Sequence, residues 1–210
     1  LDWCARAAAL LDGPALEPGL EWLASTFSVA ALLSEVKEST RRISELVSAV
    51  RSYTQMDRAS MQHIAVTDGL DSTLTMLGHR LREVKVIREY GADVPMIDAY
   101  AGELNQVWTN VIDNAVDAMG GSGTLRVTTR VDAADVVIEV GDTGPGMPPE
   151  VAARAFEAFY TTKDVGKGTG LGLDIARRIV VERHGGTIMI DSQPEETILR
   201  VRLPISRKTP

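Results

Sequence analysis

Three blocks of small and polar residues follow one another in this sequence at spacings that suit nucleotide chemistry. Asn110 and Asn114 are four residues apart, so on a helix they share one face, one turn from each other. A carboxamide oxygen is a hard, neutral ligand for Mg²⁺, which keeps several waters and bridges phosphate oxygens. Next, Asp142-Thr143-Gly144-Pro145-Gly146 follows the apolar residues 136–140. A carboxylate at a strand end can accept a hydrogen bond from an adenine amino group, while Gly144 and Gly146 let the ring approach the backbone. Last, Gly166-Lys167-Gly168-Thr169-Gly170-Leu171-Gly172-Leu173 opens a helix. Gly168, Gly170 and Gly172 let consecutive N–H groups and the helix start cradle phosphates. Lys163 and Lys167 are placed to face phosphate oxygens. Taken singly, each block has a plainer reading as solvent-facing asparagines, a turn aspartate or turn glycines. In this order they predict a nucleotide site.

Two familiar phosphate sites are excluded by spacing. A P-loop needs a glycine five residues before its Gly-Lys, and that place is held by Thr161. A dinucleotide site needs a preceding strand, and residues 150–165 do not read as one. Within that stretch Phe156 and Phe159 are three apart in a segment containing Gly and Lys, which predicts a mobile lid hinged on aromatic anchors.

The elements that must position these residues divide near residues 57–66. Before that division Val29, Leu32, Val36, Ser39, Ile43, Leu46, Val50 and Tyr53 step by threes and fours, a heptad stripe interrupted only by Ser39. Leu33 and Val47 widen it, which favours a helical bundle over a bare two-stranded coil. Residues 1–27 read as shorter helices broken around Gly13-Pro14 and Pro18-Gly19, with Trp3, Trp22 and Phe27 as packing anchors. Beyond residue 67 the spacing predicts a helix through Leu70, Leu74, Leu77 and Leu81, capped by Thr67 or Asp68. A strand at 84–89, a helix at 101–119, strands at 124–130 and 136–140, a helix at 171–183 and two hairpin strands at 187–191 and 197–203 follow. This mixture predicts an α+β fold, a two-layer α/β sandwich with a mixed sheet, preceded by a helical dimerisation hairpin or bundle.

The chain has 210 residues and is 44% apolar, enough for one domain with a real core plus a smaller element. With 22 basic against 29 acidic residues and a net charge of −7, it lacks the basic face that nucleic acid requires. The single cysteine, Cys4, excludes an intrachain disulfide and suits a reducing, cytoplasmic setting. No apolar run approaches the roughly 18–20 residues that span a bilayer. The stretch at 5–11 is too short, and lacks the basic lead-in, for a signal peptide.

Together the blocks resemble the ATP-binding (Bergerat-type) domain shared by sensor histidine kinases, DNA gyrase, heat-shock chaperones and mismatch-repair ATPases, over about residues 67–205. Asn110 and Asn114 match its N box, Asp142 to Gly146 its first glycine box, Phe156 to Phe159 its F box and Gly166 to Gly172 its second glycine box. The resemblance implies ATP and Mg²⁺ as cofactors, with Asn114 ligating the metal, Asp142 reading adenine and the second glycine box with Lys167 holding phosphates. It implies further nucleotide contacts from Asn110, Asp117, Gly144, Gly146, Phe159, Thr162, Lys163, Gly166, Gly168, Thr169, Gly170, Leu171 and Gly172. Asn110, Asn114, Lys163 and Lys167 form the implied catalytic set.

The family's ATPases and serine kinases place a glutamate at the position of Asn110, because water and hydroxyl nucleophiles need a base. A histidine nucleophile does not, being largely neutral at pH 7. Asn110 therefore points to the histidine-kinase branch, and Thr161-Thr162-Lys163 with the second glycine box is most similar to nitrogen-regulator-type sensors. Residues 1–60 are then a helical dimerisation region and residues 61–210 the ATP-binding catalytic domain. The implied partners are a second copy of the chain, a response regulator or an upstream sensor domain. Residues 1–57 contain no histidine to accept a phosphoryl group, and the only three in the chain are His63, His79 and His184. The alternative is a non-catalytic dimeric ATP-binding switch. An ATP-hydrolysing clamp is disfavoured by Asn110.

Overall fold

A computed structural model describes residues 16–55, 60–163 and 168–206. The heptad stripe lies on one continuous helix of 40 residues, α1 (Leu16–Gln55). The expected break at Pro18-Gly19 does not occur. Pro18 is the third helical residue, where an N–H has no intrahelical partner to lose, so proline is tolerated. Trp22 and Phe27 are 67% and 62% exposed, so neither is buried as a packing anchor would be. Gly13-Pro14 and Trp3 lie outside the described residues.

After α1 come β1 (Gln62–Ile64), α2 (Val66–Met76) with a 3₁₀ turn at Leu77–His79, β2 (Glu83–Tyr90), β3 (Ile97–Ala99) and α3 (Ala101–Ala118). Then follow β4 (Ser122–Asp132), β5 (Asp135–Asp142), α4 (Pro149–Arg154), α5 (Gly172–Arg178) running into a π turn at Ile179–Arg183, β6 (Thr187–Gln193) and β7 (Glu196–Pro204). The cap of α2 is Ala65, and Thr67 and Asp68 fall inside its first turn, so the expected side-chain cap is absent. The α-helical part stops at Met76, with Leu77 and Leu81 still buried beyond it.

The main sheet has the order β2-β4-β5-β7-β6. Its pair β2–β4 is parallel and the others are antiparallel. A parallel pair needs a long crossover, which the segment carrying α3 supplies. β1 and β3 form a separate two-stranded antiparallel sheet that sequence reading passed over, since three-residue strands carry little periodicity.

One face of the sheet carries the core. Leu125, Val127, Val136, Ile138, Leu199, Val201 and Leu203 alternate inward along β4, β5 and β7. Against them lie Leu70 and Leu74 of α2, Leu104, Trp108 and Ile112 of α3, and Ala176 and Ile179 at the last helix. A side chain at Gly69 would come 2.7 Å from Asn105 Oδ1 and 3.3 Å from Trp108 Nε1, so glycine lets α2 approach α3 closely. The other face carries ion pairs, among them Arg126–Glu89 at 3.0 Å and Arg200–Glu139 at 2.5 Å. No helix among the described residues is long and apolar enough to cross a membrane.

Candidate nucleotide site

The buried stripe of α3 (Leu104, Val107, Trp108, Val111, Ile112, Ala115) fixes the rotation of this helix on the sheet. That rotation leaves Asn110 and Asn114 half-buried and Asp117 exposed along one edge. Asn110 Nδ2 donates to the Gly172 carbonyl at 3.0 Å, tying the start of α5 to α3. Asn114 Oδ1 accepts from Lys163 Nζ at 3.2 Å, and the same ammonium meets Asp117 Oδ2 at 2.5 Å. Lys163, Asn114 and Asp117 thus converge at one point on this edge.

Asp117 is also gripped from behind. Arg80, just after the 3₁₀ turn, hydrogen-bonds Asp117 Oδ1 through one nitrogen and Asp113 Oδ1 at 2.5 Å through the other. Burial works against the Asp117 charge, but hydrogen bonds and charge from Lys163 and Arg80 outweigh it and hold this carboxyl below its ordinary range. For Asp113 burial wins and pushes the carboxyl up, although Arg80 opposes it. Burial also works against the Arg80 charge, yet the bonds to Asp117 and the field of Asp113 leave the guanidinium above its ordinary value. Sequence reading missed Arg80, which lies 33 residues before Asp113 and in no recognised block.

Asp142 continues the inward series Val136, Ile138 and Val140, so it points into the helical layer and is only 6% exposed. Its Oδ1 accepts the Gly144 N–H at 2.9 Å, and among the described residues its other oxygen has no hydrogen-bond partner. Burial raises its pKa, with the Gly144 N–H offsetting part of the rise. A side chain on Gly144 would meet Ala118 at 3.2 Å, and one on Gly146 (φ +78°) would sit 2.2 Å from the Gln193 carbonyl. Both glycines therefore let backbone lie where any Cβ would intrude.

The second glycine box meets the F box at its base. The Phe159 N–H donates to the Gly170 carbonyl at 2.9 Å, and a Cβ on Gly170 (φ +66°) would lie 2.5 Å from the Phe159 carbonyl carbon. Phe159 is itself at φ +66° and 72% exposed, so its ring is not the anchor expected of it. Gly168 lies over the Lys163 stem, since its Cβ would be 3.1 Å from Lys163 Cδ. The Thr169 hydroxyl accepts the Leu171 N–H at 3.4 Å, and Leu171 is the N-cap of α5. Thr162 is exposed. Gly166 and Lys167 lie outside the described residues.

The histidines are placed clearly. His184 is buried; Nδ1 lies 2.8 Å from the Ile179 carbonyl and Nε2 accepts the Tyr100 N–H at 3.1 Å, so both ring nitrogens are engaged. Beside it Arg183 pairs with the buried Glu103 at 3.1 Å and stacks over the Tyr100 ring. His79 is exposed at the end of the 3₁₀ turn. β1 pairs with β3 so that His63 Nδ1 lies 3.0 Å from Asp98 Oδ1, an acidic partner 35 residues away in sequence.

A mixed sheet under one helical layer, with asparagines on the central helix and glycines at both flanking loops, defines an ATP-binding α/β sandwich. The chain belongs to the family described as histidine kinase-, DNA gyrase B- and HSP90-like ATPase, which matches residues 100–207. Among curated proteins it is 30% identical over 187 residues to the sensory histidine kinase/phosphatase NtrB of Rhodobacter capsulatus, covering 82% of this chain and 52% of that protein. It is 35% identical over 191 residues to the sensor kinase CckA of Brucella abortus, covering 82% of this chain and 20% of that one. A solved structure, full-length ShkA in complex with AMPPNP, superposes with a TM-score of 0.70 at 25% identity, covering 86% of this chain and 40% of that one. The chain therefore carries the ATP-binding catalytic domain of the sensor histidine kinases, and spans about half or less of the curated relatives it matches.

Proposed function

We infer that this chain binds Mg-ATP and directs the γ-phosphoryl group to a histidine outside the described residues, as a homodimeric cytoplasmic kinase core serving a response regulator. The observation that carries this reading is Asn110. Where hydrolysing relatives would use a glutamate base, the chain has a neutral amide whose Nδ2 is committed to the Gly172 carbonyl. A histidine acceptor needs no such base.

The residues present fit the nucleotide and its metal. Asn114 Oδ1 and Asp117 Oδ2 already hold a cationic group, and Gly144, whose Cβ would come 2.7 Å from Asp142 Oδ1, leaves that carboxylate uncrowded. Asn114 would ligate Mg²⁺, the free Asp142 oxygen would accept the adenine amino group, and the backbone around Gly168 to Gly172 would line the phosphates, with Thr162 and Phe159 beside them. Bound Mg²⁺ supplies charge neutralisation across the phosphates. The protein contributes position: Asn110 holds α5 against α3, and Asn114 and Asp117 hold the cation edge.

Neither His63 nor His184 is placed to accept the phosphoryl group within its own domain. His184 has both nitrogens engaged. His63 pairs with Asp98 just before α3, whereas Asn114 lies 13 residues into that helix, a separation of about 20 Å at ~1.5 Å per residue. Dimerisation is supported by α1, whose Leu20, Trp22, Phe27, Val29, Leu32, Val36 and Ile43 are all exposed in the single chain. An apolar stripe of that length calls for a second surface. The helical part up to about residue 60 would provide the dimer, and residues 61–210 the nucleotide domain.

Incubation with γ-labelled ATP and Mg²⁺ tests the reading. No label on this chain alone, and acid-labile, base-stable label on a histidine of a longer form that includes upstream sequence, is the expected result. Tight ATP binding with no label on either form would favour the non-catalytic switch.

A further inference from the structure

Lys163 reaches the edge of α3 where the metal would sit, and it does so as the partner of the same two oxygens, Asn114 Oδ1 at 3.2 Å and Asp117 Oδ2 at 2.5 Å. Its stem is fixed from the other side by Gly168, where any Cβ would crowd Lys163 Cδ at 3.1 Å. Asp117 cannot turn away, because Arg80 holds Oδ1 and leaves Oδ2 facing the ammonium.

The local charges balance. Asp113 and Asp117 supply two negative charges, and Arg80 and Lys163 two positive ones, so the four side chains together are neutral. Withdrawing the ammonium leaves a net charge of −1 beside a neutral carboxamide oxygen. Mg²⁺ binds oxygens at about 2.0–2.1 Å. The ammonium bridges Asn114 Oδ1 and Asp117 Oδ2, so a divalent ion bound to both of these oxygens would have to take the same place, and cations so close repel by several kcal/mol even near a surface. The two cations exclude each other.

We propose that Lys163 is a built-in counter-ion that occupies the divalent-cation seat of Asn114 and Asp117 in the absence of nucleotide and is exchanged for Mg²⁺ when Mg-nucleotide binds. This rests on the Mg-ATP reading above and deepens it. Exchange gives one lysine two uses. It neutralises Asp117 while the site is empty, and once displaced its ammonium is free for the phosphate oxygens that arrive with the metal. It also makes the seat a poor site for metal alone, because metal without phosphates expels the ammonium with nothing to receive it. Arg80 is the positioning residue that keeps Asp117 available to either cation.

The test reads the seat without nucleotide. Mn²⁺, a paramagnetic substitute for Mg²⁺, is titrated into the full chain and free ion is followed by electron paramagnetic resonance. Lys163→Met is expected to bind Mn²⁺ on the order of tenfold more tightly than the parent, equivalent to about 1.4 kcal/mol. Lys163→Arg, which keeps the charge, should stay as weak as the parent, and adding Asp117→Asn to Lys163→Met should abolish the gain. A correctly folded Lys163→Met that binds Mn²⁺ no more tightly than the parent overturns the exchange. Calorimetry of the parent with Mg-ATP separates the two ideas. ATP binding without the Mn²⁺ gain leaves the nucleotide reading standing and removes the counter-ion. The gain without ATP binding does the reverse.

Discussion

At the residue scale the site pairs carboxyls under opposite pressures. Asp117 is held ionised by two cations, whereas Asp142 is pushed toward the neutral form by burial with a single N–H to help it. A carboxyl whose pKa is higher in the folded chain than in the unfolded one leaves full stability below the unfolded value and costs stability as pH rises through the folded value. At neutral pH the Asp142 charge is therefore a standing cost to the empty protein. Asp142→Asn should raise the neutral-pH melting temperature of the nucleotide-free chain, with the gain shrinking to nothing below the ordinary carboxylate range near pH ~4. The same change should weaken ATP binding by roughly 1.5–3 kcal/mol, the value of a hydrogen bond to a charged group. Melting curves at two pH values, alongside calorimetry with ATP, check both signs. A variant that is less stable at neutral pH, or that binds ATP like the parent, would contradict the role given to this carboxylate.

At the element scale, positions follow from where backbones touch. β5 delivers Asp142 because its inward alternation carries on to the last residue of the strand. α5 is aligned by Asn110 at one end and, past the π turn, by Gly185 and Gly186 at the other. Gly186 approaches β7 so closely that a Cβ would lie 2.1 Å from the Arg202 carbonyl oxygen. That contact is with backbone, which no rotamer change relieves. Gly186→Ala should cost about 2–3 kcal/mol, within the range of substitutions that force backbone strain. Chemical denaturation measures it; a loss under about 0.5 kcal/mol would mean that the β6–β7 hairpin shifts freely and does not set the height of α5. The clasp of Glu103, Arg183, Tyr100 and His184 beside this turn was hidden from sequence reading, because its members lie about 80 residues apart.

At the scale of the whole molecule, two regions have different needs. The α/β sandwich buries its own core, with Leu70, Leu104, Ile112, Leu125, Ile138 and Leu203 all fully enclosed. α1 keeps the described part of its stripe, as far as Ile43, outside and makes no extensive contact with any other described element. Removing everything before residue 60 should thus leave a folded monomer with ATP affinity within about twofold of the parent, while the parent runs as a dimer. Light scattering with calorimetry decides this. A truncated chain that still dimerises would move the interface to the sandwich, and one that does not fold would show that α1 supports the sheet domain.

Much of this was legible beforehand because it depends on local spacing. The asparagines four apart, the order of the two glycine blocks and the period of the inward-facing residues of α3, β4, β5 and β7 are properties of neighbouring residues, and periodicity reports those directly. The heptad stripe announced a long helix for the same reason, whereas the break expected at Pro18-Gly19 failed because a proline in a first helical turn has no hydrogen bond to lose. What sequence spacing does not encode is which distant groups end up in contact. Only the folded chain brings Arg80 behind Asp117, seats Lys163 on Asn114, gives His63 its aspartate and turns the Phe159 ring to solvent. Those contacts arise from the packing of α2 on α3, from the pairing of β1 with β3 and from the closure of the loop base at Phe159 and Gly170. They are tertiary facts, set by how whole surfaces fit together.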